Sequence, residues 1–176
     1  MFNIGHKNSE LLFQKYKLIY ESHQSDQQFF SVAYCTKELT SILGGRPYSW
    51  RVVGITAKAL ALFKQTNFEL PAFWAKRHRL PSADYKIQRA HKTGRKETTE
   101  DLLRMPLMGN AESFLSYWFK RDETILCGPG ENRRLFDAHY VEIHNPVPHY
   151  FQSYQVGFQY REDVEGVMLK ELSFSH

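Results

Sequence analysis

Cysteine is scarce in this chain: its 176 residues hold two, Cys35 and Cys127, and no Cys-x-x-Cys pair. That excludes a disulfide framework and a cysteine zinc site. No apolar run approaches the roughly eighteen residues that cross a bilayer, so no membrane partner is expected. The first residues, Met1-Phe2-Asn3-Ile4-Gly5, lack a basic stretch followed by an apolar run. No secretory signal is read there, and a cytoplasmic location is the expectation. There is no Gly-x-Ser-x-Gly elbow and no Gly-x-x-x-x-Gly-Lys loop. Gly128-Pro129-Gly130 reads as a turn rather than a phosphate cradle, because proline lacks the N–H such a loop needs. Internal repeats and low-complexity tracts are also missing.

Apolar residues make up 42 % of the chain and include 13 Phe, 10 Tyr and 3 Trp, enough to fill a core and exclude general disorder. The length suits a single domain over 1–176. Leu12, Tyr16, Ile19 and Tyr20 recur at helical spacing and predict a helix over 9–23. Thr36 is placed to cap a short helix, 37–43, ended by Gly44 and Gly45. A further helical stretch is expected from Ser49 or Thr56 to Gln65, another capped by Thr98 or Thr99, and another opening at Asn110 or Ser113. The tail changes character. Thr124–Cys127 reads as a strand and 135–143 as extended. Tyr154, Val156, Phe158 and Tyr160 share one parity, which is the strongest strand pattern in the chain. Met168, Lys170, Leu172 and Phe174 repeat it more weakly. The fold class expected is α+β: a helical part over about 1–120 packed on a C-terminal antiparallel sheet of three to four strands over about 121–176.

Charge is uneven. The 21 residues from Lys76 to Lys96 carry eight Lys/Arg (Lys76, Arg77, Arg79, Lys86, Arg89, Lys92, Arg95, Lys96) and one acid, Asp84. The remaining 155 residues hold 15 basic and 18 acidic side chains, so the net +4 hides a concentrated basic segment. Such a segment points to a polyanion, with DNA or RNA the partner expected; Trp74 and Tyr85 sit beside the charges for stacking on bases. Just upstream, Thr36-Lys37-Glu38-Leu39-Thr40-Ser41-Ile42-Leu43-Gly44 followed by Gly45-Arg46-Pro47-Tyr48-Ser49-Trp50-Arg51-Val52-Val53 resembles a helix-turn-helix. Thr40 is the small residue of its first helix, Gly44 stands in the turn and Trp50 seals the pair. The resemblance implies that Arg46, Tyr48, Ser49 and Arg51 face a DNA groove.

Two further stretches carry candidate chemistry. One is Gln88-Arg89-Ala90-His91-Lys92. The other is Ile125-Leu126-Cys127-Gly128-Pro129-Gly130-Glu131-Asn132-Arg133-Arg134-Leu135-Phe136-Asp137. Together they resemble parts of an HNH-type nuclease motif. That resemblance implies His91 as general base, Asn132 as the residue orienting the His91 loop, and Asp137 helping to hold Mg²⁺ or another divalent cation. Two departures stand out. Arg133 takes the place of a metal-binding His, and the gap from His91 to Asn132 is longer than a compact ββα unit spans. A restriction-type site would need Glu-x-Lys, and His144 replaces the Lys after Glu142. His139, His144 and His149, five apart, would alternate faces on a strand and are read as separate side chains. Three readings follow: a nucleic-acid-binding protein, a metal-dependent nuclease, and an interaction or small-molecule-binding domain. The last would use an aromatic sheet face (Tyr150, Tyr154, Phe158, Tyr160) that could also pair a homodimer.

Overall fold

The computed structural model describes residues 6–46, 48–69, 87–132, 139–145, 150–151 and 160–175. They form helices together with a four-stranded mixed sheet, which is the α+β class. The chain divides into two compact units. Among the described residues, unit 1 holds 6–50 and 93–123, and unit 2 holds the others. The units thus interleave along the chain instead of dividing near residue 120.

Unit 1 is helical. Helix α1, His6–Ser25, buries Leu12, Phe13, Tyr16 and His23 along one stripe. Asp26 Oδ1 then accepts the N–H groups of Gln28 and Phe29, which turns the chain. Helix α2, Val32–Leu43, starts five residues before the expected 37. Its cap is the Ser31 hydroxyl, which accepts from Tyr34 N; Thr36 instead donates to the Val32 carbonyl one turn back, at 2.7 Å. Gly44 ends the helix in right-handed geometry (φ −64°), so left-handed freedom is not its purpose. A Cβ there would lie 2.6 Å from Thr40 O.

The second half of unit 1 is a pair of helices. Helix α3, Ala57–Gln65, belongs to unit 2; after it, α4 spans Arg95–Arg104 and α5 spans Ala111–Arg121. Asn110 caps α5 by accepting from Ser113 N at 2.8 Å, as its position predicts. Thr98 and Thr99 lie inside α4 and return their hydroxyls to Gly94 and Arg95 carbonyls, so neither is its cap. The core of the unit includes Leu39, Leu43, Leu102, Phe119 and Trp118, with Tyr16 stacked on Phe114 at 4.2 Å and 5°.

In unit 2, β1 is Arg51–Thr56, α3 is Ala57–Gln65, β2 is Gln88–His91, β3 is Glu123–Cys127 and β4 is Tyr140–Glu142. Strand order is β2-β3-β1-β4, with β2–β3 and β1–β4 antiparallel. Two of the four described strands therefore precede residue 121, and the sheet is not the C-terminal block expected. Residues 51–53, assigned by the helix-turn-helix resemblance to its second helix, begin β1. The last strand expected, 168–174, is helix α6, Val167–Phe174, entered through a π-helical turn at Glu162–Gly166. Leu169 and Ser173 are buried one turn apart, so a period near four governs the segment rather than two. The strand expected around 154–158 lies outside the described residues.

One carboxylate organises unit 1. Asp122, 2 % exposed, accepts Arg95 Nε at 2.8 Å, an Arg95 terminal nitrogen at 2.9 Å and Trp50 N at 3.0 Å. The Arg95 guanidinium also lies 4.1 Å from the centroid of the Trp50 ring. Trp50 itself has φ 59°, a left-handed conformation that costs a bulky residue about 1–3 kcal/mol. Asp122→Ala would strand a guanidinium whose side chain is 11 % exposed, and is expected to lower unfolding free energy by about 3–5 kcal/mol in urea titrations. Retention of wild-type stability would show that the pair contributes nothing.

Candidate nucleic-acid interface

The pairing of β2 with β3 is the feature that gathers sequence-predicted residues. Gln88 sits opposite Cys127, Arg89 opposite Leu126, Ala90 opposite Ile125 and His91 opposite Thr124. The chain thus enters β2 through Ile87 and leaves β3 through Gly128 at the same end of the pair. The Cys127 thiol, 3.5 Å from the Gln88 carbonyl, donates to it and marks that end. Among the described strands β2 is an edge, so Arg89, His91 and the exposed Lys92 belong to the margin of the sheet rather than its centre.

The turn after β3 is built rigidly. Glu131 Oε2 accepts Gly128 N and the Thr56 hydroxyl, each at 2.6 Å. Thr56 Oγ1 in turn accepts Ala59 N and caps α3, and Lys58 Nζ donates to the Pro129 carbonyl at 2.6 Å. Gly128 is required here: a Cβ would come within 2.7 Å of Lys58 Cγ. Asn132 follows this turn and is exposed. On β1, Gly54 leaves the space that the Tyr140 ring occupies, and the Lys92 ammonium lies 5.8 Å from that ring's centroid.

The other predicted contacts fare differently. Tyr48 is 5 % exposed and packs on Phe119 at 5.6 Å, while Ser49 is fully buried with its hydroxyl on the Leu43 carbonyl. Neither can face a groove, which corrects that expectation: the aromatic and the small polar residue serve the unit 1 core. Arg46 is half-buried and donates Nε to Ile42 O at 3.2 Å. Arg51 is half-buried at the start of β1. Arg95 is withdrawn from the basic window by Asp122. Lys96 is exposed, 3.8 Å from Glu100 one turn along α4. Lys76, Arg77, Arg79, Lys86 and Asp137 lie outside the described residues.

The distribution of charge sharpens this division. The described residues hold 17 Lys/Arg and 17 Asp/Glu, so they are neutral. All of the net +4 belongs to 70–86 and 133–138, where six Lys/Arg face only Asp84 and Asp137. Those two basic segments join the described chain just before β2 and just after Asn132. Sequence reasoning took 76–96 as one patch and overlooked Arg133 and Arg134 as basic residues; their adjacency in sequence was the available signal.

Among the described residues no three of His, Cys, Asp and Glu come together to hold a metal ion. The divalent cation implied by the nuclease resemblance therefore finds no ligand set there. His139 and His144 are exposed, and His149 lies outside the described residues. Of the aromatic face, Tyr160 packs on Phe63 at 5.4 Å and its hydroxyl binds the Phe68 carbonyl; Tyr154 and Phe158 lie outside. No family model, curated protein or solved structure matches this chain. The class its fold defines is a two-unit α+β protein.

The Cys127 thiol is free and buried. Burial first, and the Glu131 charge second, push its thiol from 9.0 up to about 12. Burial likewise raises Tyr16 from 10.0 to about 12. In both cases the unfolded chain ionises first, so stability present below pH 9.0 is lost as the pH rises toward about 12. Thermal melts across that range should show a falling Tm, and a flat profile there would contradict the buried, protonated thiol and phenol.

Proposed function

We propose that this chain binds nucleic acid, with the contact centred on the end of the β2–β3 pair where Gln88 faces Cys127. One observation carries the reading: antiparallel pairing joins the two places from which the chain's basic segments depart. Only Ile87 separates Lys86 from β2, and Arg133-Arg134 follow the clamped Gly128–Glu131 turn after Asn132. Phosphate contacts need Lys/Arg on a firm support, and the sheet edge adds Arg89, one residue in from that end, and Lys92, just past the other end of β2. Nothing in this reading needs the 36–53 segment to enter a groove.

Fluorescence anisotropy with a labelled duplex and a labelled single strand, titrated with salt, tests it. Binding should weaken linearly on a log–log plot. The combined change of Arg89 and Lys92 to Ala should flatten the slope by about 2, one unit for each phosphate no longer neutralised. Affinity indifferent to salt, or a slope unchanged in that variant, would rule the interface out.

The same pairing favours a second reading, phosphodiester cleavage by an HNH-like arrangement. Residues 93–123, which lengthen the gap between the two motif halves, belong to unit 1, and the strand ending in His91 lies directly against the strand leading to Asn132. His91 is opposite Thr124, roughly 10 Å along the pair from the Gln88 end. Incubation of plasmid with Mg²⁺ or Mn²⁺ separates the readings. Cleavage abolished by His91→Ala supports the nuclease; intact plasmid under conditions where anisotropy shows binding leaves binding alone.

A further inference from the structure

Helix α1 has two long faces. Leu12, Phe13, Tyr16 and His23 are buried toward the unit 1 core. On the opposite side Lys7, Leu11, Gln14, Leu18, Glu21 and Ser25 are all exposed. These residues are spaced alternately by four and three, the spacing of a coiled-coil seam, and fall within about 80° around the helix axis. Leu11 is 54 % exposed and Leu18 64 %, so the two apolar side chains of the stripe stand in water where a seam would pack them.

The charges around the two leucines say what fits over them. Lys7 and Glu21 lie in the stripe, each seven residues from Gln14 and opposite in sign. Glu10 and Lys17 flank it together on one side, again opposite in sign. Among the described residues none of these four has an ion-pair partner. The pattern is its own complement when read backwards. A two-fold axis at Gln14 sets Lys7 against the partner's Glu21, Glu10 beside the partner's Lys17 and Leu11 against the partner's Leu18, and the symmetry makes each contact twice. Gln14 meets its own copy, and an amide carries both the donor and the acceptor such a meeting needs. A parallel pair would instead set Lys7 on Lys7 and Glu21 on Glu21, which like charge opposes.

We infer that α1 pairs antiparallel with α1 of a second copy of this chain, with the two-fold axis beside Gln14. The pairing goes beyond nucleic-acid binding by unit 2 and stands or falls independently of it, because it uses unit 1 alone. Two leucines per copy make a small seam, so the dimer is weak and its population depends on protein concentration.

Sedimentation equilibrium over an about hundredfold range of protein concentration tests it. The mass should climb from monomer toward dimer. Leu18→Gln changes a side chain already in water, so it should leave the monomer's far-UV circular dichroism unaltered and abolish the dimer. Lys7→Glu alone and Glu21→Lys alone should each weaken the dimer about tenfold, because two attractive contacts become repulsive. The two changes together should bring affinity back to within about threefold of wild type, since the same contacts re-form with their charges exchanged. A parallel pair gives no such recovery, because like then meets like in every variant. Lys15, on the other flank, comes beside its own copy near the axis, so Lys15→Gln should tighten the dimer. The inference fails if the chain stays monomeric throughout, which leaves the stripe to a different occupant. It fails equally if Leu18→Gln leaves a dimer intact, if the double variant is no better than the single ones, or if Lys15→Gln weakens association.

Discussion

Asp122 is the constraint on which unit 1 most depends. Its carboxylate neutralises Arg95, fixes the Trp50 backbone and, through Arg95, holds the Trp50 ring. Trp50 immediately precedes β1, Arg95 follows β2 by four residues, and Asp122 immediately precedes β3. One ion pair therefore ties together the points where the chain leaves or enters three strands. The left-handed backbone at Trp50 is tolerated because an N–H bond to a buried carboxylate and a stacked guanidinium offset its strain. The same interaction has an electrostatic consequence. Arg95, which counts as positive charge in the sequence, contributes none to the surface.

That consequence recurs across the fold and redirects the functional argument. Arg121 reaches Asp101 at 2.7 Å, and Arg161 reaches the fully buried Glu165 at 2.6 Å. Each pairs locally, and the described residues end up neutral. The excess positive charge is left to two short segments that flank the β2–β3 pair in sequence. The nucleic-acid binding proposed above therefore rests on the sheet in unit 2 and not on the helices of unit 1.

Much of the local structure was legible in the sequence. The stripe of Leu12, Tyr16 and Ile19 marked α1, Asn110 marked the start of α5, and the apolar run at 124–127 marked β3. The physical reason is shared: each signal lies within a few residues of the feature it specifies. Strand β1 was misread as helix because Gly44 and Trp50 satisfied a motif, although the β-branched Val52, Val53, Ile55 and Thr56 favoured a strand. Strand β2 carries no periodic signal and is a strand because β3 pairs with it. The partner of Arg95 lies 27 residues away and the partner of the Gly128–Glu131 turn is Thr56, 75 residues from Glu131; no local pattern announces either. The candidate site suffered most for that reason: Tyr48, Ser49 and Arg95 looked like a surface and serve the interior.

The central claim, that nucleic acid meets the β2–β3 end of unit 2, is tested most directly by amide hydrogen exchange with and without a short duplex. The account predicts slowed exchange over Ile87–Lys92 and Gly128–Asn132, with α1 and α2 unchanged. Slowing confined to 36–51, or none at a concentration that saturates the protein, would contradict it.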